Sequence, residues 1–170
     1  MEPRKYTTEA GGTKVTQIGD FLMDVHKSKS PIAPSLMKRL SAIQIDRPAS
    51  ELIKEIKSGL SFSYLTTMTD FLNISQFRLG QSLKITKRTM ARRKTEGKFT
   101  PEESERIIRI YRIIQKALNV FDGDVPSVKM WLENPKKALG GETPIDFADT
   151  DIGAQEVMHL LGRIDHGVYS

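Results

Sequence analysis

The sequence predicts an all-α protein, and three observations support that prediction. Apolar residues recur at steps of three and four along several stretches, which places them on one face of a helix. Serine, threonine and proline stand where these stretches begin, and glycine or Asn-Pro stands where they end. No stretch alternates apolar and polar residues as a half-buried strand does. A chain of 170 residues is long enough for one domain or two small ones.

Three short helices are predicted within residues 1–58, where prolines separate them. The first runs from about Gly19 to His26, on an apolar face formed by Ile18, Phe21, Leu22 and Val25. The second runs from Ser35 to Ile43, and Ser50 caps the third, which ends at Gly59. Helices this short are marginal in isolation. We therefore expect residues 1–58 to be a partly flexible extension that packs on the next domain or makes an oligomer contact.

Residues 59–99 predict three further helices. The first has an apolar stripe, formed by Tyr64, Leu65, Met68, Phe71 and Leu72. Ser75 caps the second helix, Gln76 to Leu83, and Thr86 caps the third, Lys87 to Glu96.

The second and third of these helices fit a helix-turn-helix. Gly80 lies midway along the first helix of the motif, where the other helix must cross closely. The apolar residues available for the facing sides are Leu79, Leu83, Ile85 and Met90. At the turn, Lys84 stands where this motif usually has glycine, because the backbone there is left-handed. We expect that geometry to cost a lysine about 1 kcal/mol.

Positive charge is concentrated on the last helix of the motif. From Lys84 to Lys98 the chain has seven basic residues and one acidic residue. This density favours contact with phosphates, although a solvated basic helix without a ligand would show the same composition. The predicted DNA-binding residues are Thr86, Lys87, Arg88, Thr89, Arg92 and Arg93.

Different roles are predicted within that set. Arg88 and Arg92 are four residues apart and share a helix face, so they are the candidates for base edges. Thr86, Lys87 and Arg93 are the candidates for phosphates.

Residues 100–170 predict a small C-terminal helical domain. Thr100-Pro101-Glu102-Glu103 reads as a capping box with proline at the first helical position. The helix that follows has apolar residues on more than one side, at Ile107, Ile108, Ile110, Tyr111, Ile113, Ile114 and Leu118. We expect this helix to be buried between two layers.

Three more helices are predicted in the same domain. One lies around Pro126 to Glu133 and contains Trp131, which we expect in the core. Another begins at Thr143-Pro144, after a turn at Gly140-Gly141. Thr150 or Asp151 caps the last helix, whose apolar face is formed by Val157, Leu160, Leu161 and Ile164.

The composition excludes several classes of protein. Without cysteine the chain has no disulfide and no thiolate metal site. No apolar run reaches 18 residues and no signal peptide is evident, so the expected location is the cytoplasm. The three histidines are scattered without a catalytic set around them, and His159 and His166 with Asp165 fall short of a metal site. We expect no cofactor, no metal and no catalysis.

The charge of the chain is divided between its two parts. Residues 1–119 contain 22 Lys and Arg against 12 Asp and Glu, whereas residues 120–170 contain 4 against 9. Such a division suggests one surface for a polyanion and another for a different partner. A solvated imbalance without function is the alternative.

From Leu65 to Ser170 the chain also resembles the Xre-like antitoxins that carry an Xre/MbcA/ParS toxin-binding domain. The segments that show the resemblance are Thr86–Arg93, Glu103–Arg106, Trp131–Pro135, Ala138–Gly141 with Thr143-Pro144, and Leu161–Tyr169. The resemblance implies a central Xre-like helix-turn-helix followed by a small helical toxin-binding domain. It covers over half of the chain and leaves residues 1–58 outside.

The resemblance also implies the partners. In this family the toxin has a RES domain, attacks NAD and is encoded next to the antitoxin, whose C-terminal end blocks the toxin active site. The complex represses its own promoter by binding operator DNA. The toxin-binding residues implied here are Leu161, Arg163, Ile164, Asp165, His166, Gly167, Val168, Tyr169 and Ser170.

The residues themselves agree with a binding tail. Tyrosine and arginine are favoured as interface anchors, and Gly167 lets the chain leave the helix. An acidic segment suits a basic pocket that normally receives a dinucleotide. A frayed terminal helix with an inert tail is the alternative.

Two other functions remain open on the sequence. One is an ordinary helix-turn-helix regulator whose C-terminal domain dimerises or binds a ligand, and the other is a small enzyme. A helix-turn-helix that reads a palindrome needs two copies, so a homodimer is expected. The dimer contact falls either to residues 1–58 or to the helix over residues 101–119.

Overall fold

Eight α-helices and one short 3-10 turn form residues 48–167, which are the residues that this computed structural model describes. In chain order the helices are α1 (Ala49–Ser58), α2 (Ser63–Leu72), α3 (Gln76–Ser82), α4 (Lys87–Glu96), α5 (Pro101–Val120), α6 (Val125–Glu133), α7 (Pro144–Phe147) and α8 (Asp151–Asp165). The 3-10 turn, Lys137–Leu139, lies between α6 and α7. The predicted all-α class is confirmed, and an isolated bridge between Ser61 and Lys98 is the only β-type pairing within the described range.

The first two predicted helices, Gly19–His26 and Ser35–Ile43, lie outside the described residues. The third is confirmed as α1, but its predicted cap is wrong. Pro48 occupies the N-cap position without a side-chain hydrogen bond, and Ser50 lies inside the helix. Proline is tolerated at the start of a helix because the backbone N–H groups there have no acceptor within the helix. The N–H group that proline lacks is therefore not missed.

Helix α5 is the centre of the fold. It packs most extensively against α8 and also contacts α1, α2 and α6. Ile108 and Ile113, which lie off its main apolar stripe, are 3% and 1% exposed, so the predicted burial on more than one side is confirmed. Its capping box is confirmed as well, since Glu103 N–H donates to Thr100 Oγ1 and the Glu103 carboxylate accepts from Thr100 N–H.

The C-terminal half of the core forms around Trp131, which is 2% exposed, as predicted. Its ring lies 6.2 Å from that of Phe121, centroid to centroid, where α5 ends. Gly140 and Gly141 both have positive φ and form the predicted turn between α6 and α7. Thr150, rather than Asp151, caps α8, because its side chain accepts from the N–H of Gly153.

Candidate functional site

Helices α3 and α4 form the predicted helix-turn-helix. Thr86 caps α4 by accepting from the N–H of Thr89 at 3.2 Å. A Cβ atom added to Gly80 would lie 2.8 Å from Met90 Cε and 3.3 Å from the carbonyl oxygen of Ile85. The Met90 methyl group can move aside, so it is the close backbone oxygen of Ile85 that favours a small residue where the two helices cross.

Lys84 takes the left-handed conformation expected at the turn, with φ of 53°. Its ammonium lies 3.2 Å from a carboxylate oxygen of Asp149, in the segment that joins α7 to α8. The Lys84 side chain is 62% exposed, so this ion pair offsets only a small part of the backbone strain. It does connect the turn of the motif to the C-terminal half of the chain.

The outer surface of α4 is basic. Met90 is the one residue of this helix that is buried, and most of the other residues are lysine, arginine or threonine. Lys87, Arg88 and Arg92 are exposed, and Thr89 is half-buried. Arg92 lies 3.9 Å from Glu96, a loose pair with a side chain that is 59% exposed. Together with Thr86, these residues leave basic and hydroxyl groups accessible along α4.

Arg93 is arranged differently from the rest of the predicted DNA-binding set. Its side chain is 12% exposed, and its Nε donates to Glu103 at 2.7 Å. Nη1 donates to Glu96, and these hydrogen bonds to the carboxylates of Glu103 and Glu96 raise the pKa of Arg93. The guanidinium therefore fixes α4 to the start of α5 instead of standing on the outer surface.

Sequence reasoning missed a polar network that joins the helix-turn-helix to the C-terminal half. Arg78 on α3 donates from Nη1 and Nη2 to the two carboxylate oxygens of Asp146, each at 2.9 Å. The hydroxyls of Ser82 and Thr143 donate to the same carboxylate at 2.7 Å. Burial raises the pKa of Asp146, but these hydrogen bonds outweigh it and lower the pKa to about 2.

The predicted C-terminal set is divided between the core and the surface. Leu161 and Ile164 are 0% and 9% exposed, so their side chains support α8 from inside. Arg163 is half-buried, and Asp165 accepts from Lys116 Nζ at 2.6 Å, which lowers the pKa of Asp165. Arg163 and Asp165 lie at the C-terminal end of α8.

The chain leaves α8 at an exposed end. His166 and Gly167 are both exposed, and Gly167 has φ of 67°, the conformation expected where a chain turns away from a helix. Val168, Tyr169 and Ser170 lie outside the described residues.

Residues 48–167 contain neither a cluster of metal ligands nor a membrane span. No three His, Asp or Glu side chains converge there as metal ligands. No helix in that range is long and apolar enough to cross a membrane.

Comparison with known proteins identifies the two parts of the chain. Residues 51–112 match the family model of the antitoxin Xre-like helix-turn-helix domain, and residues 116–167 match that of the antitoxin Xre/MbcA/ParS C-terminal toxin-binding domain. An antitoxin Xre of Yersinia enterocolitica is 36% identical over 141 residues, which cover 81% of this chain and 95% of that protein. The chain belongs to the Xre antitoxin family.

Two further relatives support the assignment. An antitoxin Xre of Photorhabdus laumondii is 39% identical over 110 residues, 62% of this chain and 74% of that protein. A Prs ADP-ribosylating antitoxin of a Sphingobium species is 28% identical over 153 residues, 85% of this chain and 92% of that protein.

In this Xre-family antitoxin the two matched regions meet inside α5. The helix-turn-helix match begins at residue 51 inside α1, contains α2 to α4 and ends at residue 112, and the toxin-binding match begins at residue 116. One continuous helix, Pro101–Val120, thus belongs to both. The predicted boundaries at residues 58/59 and 99/100 remain predictions.

Proposed function

We propose that this Xre-family antitoxin neutralises a RES-domain toxin that consumes NAD and represses its own operon through α4. The observation that most directly supports both toxin neutralisation and operon repression is the presence of two unlike exposed surfaces. A basic face lies on α4 of the helix-turn-helix, and an exposed helix end terminates the toxin-binding domain.

The proposed DNA surface consists of Thr86, Lys87, Arg88, Thr89 and Arg92. Arg88 and Arg92 read base edges in the major groove, where a bidentate arginine prefers guanine. Thr86 and Lys87 contact phosphates at the start of the helix. Arg93 acts beneath this surface as the anchor that holds α4 against α5. We expect a homodimer on a palindromic operator, in a larger complex when toxin is bound.

The proposed toxin surface is the end of α8 and the tail that follows. It comprises Arg163, Asp165, His166 and Gly167, continued by residues 168–170, and it inserts at the toxin active site. Leu161 and Ile164 are left out because their side chains are in the core.

The name of the Sphingobium relative connects an antitoxin with ADP-ribosylation, and this connection supports the proposal of a toxin that uses NAD. The name describes that protein as an ADP-ribosylating antitoxin, and ADP-ribosyl transfer takes its group from NAD. The present protein acts in this proposal by binding alone.

Co-expression with the neighbouring gene tests the proposal. Wild-type antitoxin should restore growth and cellular NAD and should co-purify with the toxin. A variant that lacks residues 163–170 should lose all three effects and still bind promoter DNA. The matched control, Arg88→Ala with Arg92→Ala, should rescue growth and lose promoter binding. Rescue by the shortened variant would contradict the tail insertion, and promoter binding without any rescue by the wild type would favour the ordinary regulator.

A further inference from the structure

Phe77 is the one exposed phenylalanine, tyrosine or tryptophan among residues 48–167, and it lies beside the recognition helix. It is the second residue of α3, and its side chain is 45% exposed. The Nζ atom of Lys87, the first residue of α4, lies 4.3 Å from the centroid of the Phe77 ring. This distance is within the range of a cation–π contact.

Lys87 stands in a place that the helix itself disfavours. The N-terminus of a helix has a partial positive charge, and the first turn of α4 contains no acidic residue to offset a lysine there. Lys87 also has no carboxylate partner in the described part of the chain, whereas Lys84 and Arg93 are paired with Asp149 and Glu103.

A ring holds a lysine differently from a carboxylate. An ion pair neutralises the ammonium and competes with any other anion for its N–H donors. The face of a phenyl ring attracts the cation through its quadrupole but adds no negative charge. Lys87 is therefore held in place while its charge stays available to an external anion.

We propose that Phe77 is a positioning residue of the DNA interface, which holds the Lys87 ammonium against the phosphate backbone of duplex DNA. The inference rests on the proposed DNA binding by α4. It extends the interface from α4 to the start of α3. Because a phosphate contact is independent of sequence, Phe77 supports binding to operator and random DNA alike.

The test measures the dissociation constant of the full-length protein for a duplex from its own promoter and for a random duplex, over a range of salt concentrations. Phe77→Leu keeps an apolar side chain and removes the ring. It should weaken binding to both duplexes about two- to five-fold, the range that a cation–π contact at an exposed site supports. The plot of the log of the binding constant against log salt should become shallower by up to about one unit, because one phosphate contact is lost.

Phe77→Tyr should keep the wild-type affinity, since it restores the ring. In a Lys87→Ala background, Phe77→Leu should have no further effect, whereas a structural role for Phe77 would weaken binding in both backgrounds. Met130→Leu, at another exposed apolar residue, is the control and should leave DNA binding unchanged.

Equal weakening by Phe77→Leu with and without Lys87 would overturn the inference, and so would wild-type affinity for Phe77→Leu. Failure of the wild-type protein to bind its promoter at any salt concentration would instead overturn the proposed DNA binding itself.

Discussion

Two glycines of α8 differ sharply in what a methyl group would meet. A Cβ atom added to Gly153 would lie closer to the carbonyl oxygen of Phe147 than 3.0 Å, the limit that real Cβ contacts essentially never pass. It would also lie 3.1 Å from Thr150 Oγ1. The main obstacle is backbone at the end of α7, which cannot rotate away as a side chain can. A Cβ atom added to Gly162, on the same helix, has no neighbour within 4 Å.

These surroundings predict that a glycine-to-alanine substitution changes the free energy of unfolding in opposite directions at the two positions. Glycine to alanine within a helix gains up to about 1 kcal/mol from propensity. Gly162→Ala should therefore stabilise the protein by about 0.5–1 kcal/mol. At Gly153 the overpacking cost, typically about 1–3 kcal/mol or more, outweighs that gain. We expect Gly153→Ala to destabilise by about 2 kcal/mol, a difference of roughly 3 kcal/mol between the two variants.

Urea unfolding followed by circular dichroism at 222 nm measures both variants against the wild type. The midpoints should move in opposite directions with an unchanged slope, which shows that stability and not the unfolding mechanism has changed. If Gly153→Ala is as stable as Gly162→Ala, the close approach of α7 to α8 is absent, and the reasoning from the Cβ position fails.

Three further predictions concern the ionic contacts. Glu103→Ala leaves a guanidinium of low exposure without its main partner and should cost roughly 3 kcal/mol in a urea titration, whereas Glu102→Ala, at an exposed neighbour, should change little. Because the folded pKa of Asp146 is lowered from 3.8 to about 2, its contribution is complete above about pH 5 and is lost as the pH falls toward 2. After allowance for a side chain that is 40% exposed, this contribution is about 1 kcal/mol, and an Asp146→Asn variant with the same acid unfolding curve as the wild type would contradict it. Lys84→Gly should raise the melting temperature, since relief of about 1 kcal/mol of backbone strain exceeds the loss of an exposed ion pair, and a lower melting temperature would refute this balance.

Local patterns predicted most of the described fold because helix caps and apolar spacing are local properties. The caps at Thr86, Thr100 and Thr150 and the close crossing at Gly80 could all be read from neighbouring residues. The cap assigned to Ser50 was wrong because Pro48, two residues earlier, begins the helix.

The ionic contacts between helices could not be read in this way. Arg78 and Asp146 are 68 residues apart, and only the packing of α3 on α7 brings them together. For Arg93 a signal did exist, since it follows the buried Met90 by three residues and so shares its helix face. The burial of Leu161 could likewise be read from the apolar face of α8.

Hydrogen–deuterium exchange of the full-length antitoxin, alone, with promoter DNA and with its toxin, tests the division of the molecule most directly. We expect DNA to protect residues 84–98 and toxin to protect residues 163–170. Protection of α4 by bound toxin, or of the end of α8 by bound DNA, would contradict the assignment of separate surfaces to the two partners.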